Sequence, residues 1–123
     1  MNQTGTKVTS LGNYFAYHAD NMKIVDIGEN VTTINTQAFY RCTNVTTIYS
    51  RRSDAPTCSG NYSFVRNSSN YASYSCGYNG RSSGNNILHV PRSNSGYGTS
   101  SSSTQWGYLQ STTYGGFTLT AEL

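Results

Sequence analysis

Charge is scarce in this chain. Only 11% of its 123 residues are Asp, Glu, Lys or Arg, with eight basic side chains against five acidic ones. The basic residues are scattered, and only Arg51 and Arg52 are adjacent. Nucleic-acid surfaces gather Lys and Arg on one face or stripe, so no nucleic-acid partner is expected. Long apolar runs are missing as well: nothing approaches the roughly 20 residues that a bilayer-crossing helix needs, so no membrane insertion is expected. The opening Met1-Asn2-Gln3-Thr4-Gly5 has neither a basic nor an apolar leader region. The expectation is either a piece of a larger protein or a chain that reaches its destination without the secretory route.

The groups that carry chemistry are equally sparse. Cys42, Cys58 and Cys76 form no C-x-x-C, and an odd number at wide spacing is no zinc signature. A Cys58–Cys76 bridge across a loop and three separate thiols both stay open, with the second favoured. His18 and His89 are the only histidines. Asp20, Asp26, Glu29, Asp54 and Glu122 are the only carboxylates, and no two groups stand at acid/base or metal-ligand spacing. Serine is abundant, yet no G-x-S-x-G elbow occurs. No enzyme, cofactor, metal site or catalytic residue is therefore expected. Disorder is not expected either, because aromatics reach 13%. Ser, Thr, Asn, Gly and Tyr crowd the sequence, which reads as one β-rich domain with a polar, uncharged skin.

What the chain does have is one phrase written three times: Val8-Thr9-Ser10-Leu11, Val31-Thr32-Thr33-Ile34 and Val45-Thr46-Thr47-Ile48. Sliding the chain by 23 residues lays Val8 on Val31, Leu11 on Ile34, Tyr17 on Tyr40, Met22 on Val45 and Val25 on Ile48, without a gap over residues 8–50. Apolar pairs start alternately 14 and 9 residues apart, which makes up one 23-residue period. A fixed period of roughly 20–29 residues with apolar positions in phase marks a solenoid of the leucine-rich kind. One coil cannot hide its own apolar wall. A second, stacked at about 4.8 Å, buries it and pairs the backbone. Val, Ile and Thr suit such short strands. Between the walls, "NYFAYHADN" and "TQAFYRCTN" are expected to form a helical turn or tight bend that places Phe15 and Phe39 in the core.

The stretch "MKIVDIGENVTTINTQAFYRCTNVTTIY" resembles the BspA-type leucine-rich repeat. The matching residues are Val31-Thr32-Thr33-Ile34, Ala38-Phe39, Cys42 and Val45-Thr46-Thr47-Ile48. Gly28 stands where that family usually has Pro, and Asn35 where it usually has Gly. The resemblance implies a β-rich (α/β) leucine-rich-repeat solenoid of about two 23-residue coils over residues 8–52. A degenerate third coil carrying a loop would occupy residues 53–86, and a C-terminal β cap residues 87–123. In the last part, "ILHVP", Tyr97 and Trp106 resemble a terminal strand and capping segment, and "GGFTLTAEL" a final strand. "GTSSSSTQ" lacks helix formers, so residues 100–103 read as a loop where the family's cap carries a helix.

The candidate contact region is the excursion at residues 59–86. Tyr, Ser, Asn and Gly supply 22 of its 28 residues, and no acidic side chain occurs in it. That is the palette of an antibody-like paratope, in which tyrosines give stiff amphipathic area and Ser and Asn give adaptable hydrogen bonds. Tyr62, Tyr71, Tyr74 and Tyr78 are the expected ligand-binding rings, with Arg66 and Arg81 for anionic groups. A plain solvated insertion is the competing reading. A second candidate surface is the strand wall, where Lys23, Asp26, Thr46, Thr47 and Tyr49 are expected to point outward. Val8 and Leu11 are expected on an uncapped face that upstream coils, a partner chain or a second copy would cover. The resemblance implies extracellular or cell-surface display. The expected function is non-enzymatic recognition or adhesion toward a cell-surface glycan or protein. The alternative is a structural subunit or receptor-binding tip of a larger extracellular or phage virion assembly, in either case an oligomer or part of a larger chain.

Overall fold

The computed structural model describes residues 2–3, 6–58, 63–65, 69–98 and 104–123; of residues 2, 3, 6, 7 and 69–71 only the backbone is described. Strands β1 (Asn2–Gln3) and β2 (Thr6–Lys7) pair antiparallel. All other named strands pair parallel, in two sheets. One holds β3 (Ser10–Leu11), β5 (Thr33–Ile34) and β7 (Thr57–Cys58), in that order. The other holds β4 (Ile24–Ile27), β6 (Thr47–Ser50), β8 (Ile87–Val90) and β9 (Thr118–Ala121). One short helix, α1 (Gln105–Gln110), follows Tyr97. The protein is thus a small α/β structure with two parallel sheets, few helices and no closed barrel among the described residues.

The 23-residue offset is the strand register itself. Ser10 lies opposite Thr33 and Leu11 opposite Ile34, while Val25 lies opposite Ile48 and Asp26 opposite Tyr49. Each unit therefore forms a tier whose strands hydrogen-bond the same strands of the next. Val25, Ile27, Ile48, Leu88 and Val90 alternate inward and are buried, because successive strand side chains point to opposite faces. Side chains add rungs between tiers. Thr32 Oγ1 donates to Thr9 O across 23 residues. Asn35 Nδ2 donates to Leu11 O, and Asn44 Nδ2 to Asp20 O, each across 24.

The segment between the two sheets is a run of turns and not a helix. Phe15, Tyr17 and Ala19 donate their N–H to carbonyls three residues back, at Gly12, Tyr14 and Ala16. Tyr14, Ala16 and His18 instead donate across to Thr36, Ala38 and Tyr40 of the next tier, at 3.2, 2.7 and 2.7 Å. This alternation ties the tiers along a third wall, and it needs left-handed backbone. Tyr14 and Gln37 (φ 62° and 59°) stand at equivalent positions, as do His18 and Arg41 (56° and 61°). Each such residue costs about 1–2 kcal/mol, offset by the backbone bonds between tiers.

An aromatic spine runs through the tiers. Phe15 meets Phe39 edge-on at 6.1 Å, Phe39 stacks on Phe64 at 5.1 Å, and Trp106 packs on Phe64 at 4.8 Å and on Tyr97 at 4.9 Å. Phe39 is buried as expected, but Phe15 is 47% exposed. It belongs to the first tier, and among the described residues no ring packs on its outer side.

The far end is closed by polar pairing. Thr104 caps α1, its Oγ1 accepting from Gly107 N. Gln105 Oε1 accepts from both Phe64 N (2.9 Å) and Val65 N (2.8 Å), and Trp106 Nε1 donates to Pro56 O at 2.9 Å. Tyr97 Oη donates to Arg52 O, within 2.9 Å of the buried Ser50 Oγ. The loop expected at residues 100–103 lies outside the described residues, and the helix begins just beyond it. The expected final strand is present as β9, paired to β8.

Candidate recognition surface

The excursion does not stand apart from the body. Tyr62 and Arg66 lie outside the described residues. Tyr71 falls in a 3-10 segment, Ser69–Tyr74, with its side chain undescribed. A second 3-10 segment, Tyr78–Ser83, follows. From Tyr74 to Asn79 the chain joins the stack: Arg41 N donates to Tyr74 O, Gly77 N to Cys42 O, and Asn79 N to Thr43 O. Cys76 is fully buried there. Arg81 is bound within the protein. Its Nη1 donates to Thr112 O (2.7 Å), its Nη2 to Tyr78 Oη (3.2 Å), and its guanidinium lies 4.4 Å from the centre of the Tyr78 ring.

Tyr74 stands in a different company. Tyr17 stacks on Tyr40 with centroids 5.1 Å apart, and Tyr40 meets Tyr74 edge-on at 5.7 Å. Tyr14 adds an edge contact to Tyr17 at 5.6 Å, and the Arg41 guanidinium lies 4.6 Å from the centre of the Tyr74 ring. The cause is the third wall. Tyr17 and Tyr40 occupy the same position one tier apart, and the bond from Arg41 N to Tyr74 O sets the third ring in line. Each aromatic pair adds about 0.5–1.5 kcal/mol beyond the area buried. The result is a pre-formed row of phenols beside one cation. Tyr17 is 48% exposed, and Tyr40 and Tyr74 are half-buried.

The row was only partly visible in the sequence. Tyr17 falls on Tyr40 in the 23-residue alignment, but the longer chain before Tyr74 hides the third position.

The outer face of the four-stranded sheet carries a second polar row. Asp26, Tyr49, His89 and Thr120 are in register across β4, β6, β8 and β9. Arg51 grips Asp26 with two bonds, Nε to Oδ1 at 2.8 Å and Nη2 to Oδ2 at 2.9 Å. Its guanidinium also lies 5.3 Å from the Tyr49 ring centre, and Tyr49 stacks on His89 at 4.7 Å. The Arg51 hydrogen bonds hold the Asp26 carboxyl below its usual range. Lys23, Asp26, Thr46, Thr47 and Tyr49 all retain exposure on this side, as the strand-wall reading expects. Beside the row, Glu29, Arg51, Arg52, Ser53 and Asp54 line an open polar recess of about 250 Å³.

The first-tier residues divide differently from expectation. Leu11 is fully buried, and Val8 is half-buried against the core. The exposed apolar side chains there are Tyr14, Phe15, Tyr17 and Ile24. Leu11 points inward because it pairs in register with Ile34, a wall residue.

All three cysteines are free thiols. Burial pushes Cys42 up to about 11, Cys58 up to about 12, and Cys76 well above the normal thiol range. The thiolate is the reactive form, and burial disfavours it at all three. Among the described residues, no group of three His, Cys, Asp or Glu side chains is placed to hold a metal ion, and no helix is long and apolar enough to cross a membrane. No family model, curated protein or solved structure matches this chain.

Proposed function

We propose that this protein is a non-enzymatic recognition module, displayed outside a cell or on a virion, that binds a cell-surface glycan or protein through the Tyr17–Tyr40–Tyr74 row. The tiers read as leucine-rich-repeat coils of the BspA type, because the 23-residue period carries the strand register. One observation carries the functional reading. Three phenols from three tiers touch in succession, stacked at 5.1 Å and edge-on at 5.7 Å, with the Arg41 guanidinium over the last. Rigid tyrosines give contact area at low entropic cost, and rings and hydroxyls in a row suit sugar C–H faces and their hydroxyl groups. Tyr62 and Arg66 lie outside the described residues, and Arg81 is bound to Thr112 O and Tyr78 within the protein.

The test is binding of the intact chain to a glycan array and to whole cells, compared with Tyr40→Ala and Tyr74→Ala. The reading requires binding that falls at least tenfold in both variants while circular dichroism is unchanged. Binding that survives both substitutions excludes the row as the contact surface. An intact chain that binds no glycan and no cell refutes the recognition function.

A further inference from the structure

One cation beside the phenol row is fixed in place and has no opposite charge to meet. The half-buried Arg41 guanidinium lies 4.6 Å from the centre of the Tyr74 ring. Among the described residues it makes no ion pair and no side-chain hydrogen bond. The other arginines differ. Arg51 grips Asp26, Arg52 lines a recess with Glu29 and Asp54, and Arg81 donates to Thr112 O and Tyr78 Oη. Lys23 and Arg92 are also unpaired among the described residues, but both are exposed and no ring holds them.

The surroundings of Arg41 are short of negative charge. Asp20, the carboxylate of the neighbouring tier's turn wall, lies 3.0 Å from His18 Nε2. No acidic residue occurs from 59 to 86, the excursion that supplies Tyr74. A guanidinium ordered on a ring keeps a planar fork of N–H donors that matches the paired oxygens of a carboxylate or sulfate. Since no carboxylate among the described residues takes that fork, it is left for an anion on a ligand. Beside it, Tyr40 and Tyr17 continue the row at 5.7 and 5.1 Å, offering rings to sugar C–H groups and hydroxyls to sugar oxygens.

We infer that the row takes an acidic glycan, whose carboxylate or sulfate pairs with Arg41 while an adjoining sugar ring lies along Tyr40 and Tyr17. The inference rests on the recognition reading of the row and names the ligand class which that reading leaves open. Protein partners are commonly anchored by large side chains seated in desolvated pockets. Half-exposed phenols beside one unmatched cation suit instead a compact ligand that carries many hydroxyls and one negative charge, and an acidic sugar has both. A charge-assisted bond at a half-buried guanidinium favours the acidic form of a glycan over its neutral form by roughly tenfold.

Matched glycan pairs test it on the intact chain: sialylated, uronate-bearing and sulfated oligosaccharides, each against its neutral counterpart. The expected result is roughly tenfold tighter binding of an acidic member, and the arm that responds tells carboxylate from sulfate. In Arg41→Gln, with circular dichroism unchanged, the ratio of acidic to neutral affinity falls to about one. Glutamine suits the position, since Gln37 already adopts the same left-handed backbone, φ 59° against 61° at Arg41. Equal binding of both members, or a preference that survives Arg41→Gln, overturns the inference and leaves the row as a contact surface. Cell binding that survives enzymatic removal of surface glycans identifies a protein partner and overturns it as well. Binding to no glycan and no cell refutes the recognition reading itself. Should the variant fail to fold, salt decides on the unaltered chain. Affinity for the acidic member should fall severalfold between about 50 and about 500 mM NaCl while that for the neutral member holds, and salt-independent binding of both refutes the inference.

Discussion

Replacing Gln105 with Met removes one oxygen that serves two backbone groups. Gln105 Oε1 accepts from Phe64 N and Val65 N at 2.9 and 2.8 Å, and both residues are fully buried. Methionine has nearly the same length, though it is unbranched, so most of the space stays filled while the acceptor is lost. A buried amide left without a partner costs about 1–3 kcal/mol, and two cost about 2–6 kcal/mol. Burying a thioether in place of the amide returns about 1 kcal/mol. The net expectation is a loss of roughly 3 kcal/mol, large against the 5–15 kcal/mol typical of a whole domain. Urea unfolding gives the readout. With a slope of about 1.5 kcal/mol/M, the midpoint falls by about 2 M while the slope stays constant. A loss below about 0.5 kcal/mol would refute the reasoning, because it would mean that these two amides do not depend on Gln105.

Three further outcomes follow from the geometry. A Cβ at Gly77, where φ is +80°, would sit 2.4 Å from Phe117 Cε1. Gly77→Ala should cost roughly 2–5 kcal/mol from left-handed strain and overpacking together, and a thermal midpoint within a degree of the parent would contradict it. Gln37→Gly should stabilise by about 0.5 kcal/mol, since relief of left-handed strain exceeds the entropy glycine adds to the unfolded chain. Calorimetry showing a loss above about 1 kcal/mol would count against that account. Asp26 has a carboxyl pKa depressed by Arg51. The contribution of the pair is therefore present above the unfolded value near pH 4 and is lost as pH falls through the folded value. Both partners are close to half exposed, so Asp26→Asn should cost about 0.2–1 kcal/mol at pH 7. Stability measured from about pH 5 to pH 2 should then show a shallower acid slope in the variant than in the parent.

The parts of the fold that could be read in advance are those where the period is uninterrupted. Val8 to Ile48 repeats without a gap, so the pairing of Leu11 with Ile34 and of Val25 with Ile48 follows from patterning alone. The third tier was harder, because β6 pairs with β8 only after the long excursion, and insertions erase register. The turn wall is expected as tight bends and is present as such, but its backbone conformation is not legible in the sequence. Left-handed conformations at Tyr14, His18, Gln37 and Arg41 carry no glycine signal, and bonds between tiers, not local propensity, select them. Phe15 was expected in the core by analogy with Phe39, yet burial of a spine ring depends on having a neighbour on both sides. At the candidate site, the composition of residues 59–86 pointed to Tyr74. The involvement of Tyr40 and Arg41 came from the wall that brings those segments together.

The central claim is that units 23 residues apart lie directly over one another in parallel register. Isotope-edited NOESY spectra test it most directly. The account predicts backbone contacts linking Leu11 with Ile34, Val25 with Ile48 and Ile48 with Leu88, in the staggered pattern of parallel strands. Antiparallel contacts between these strands, or none at all, would contradict it.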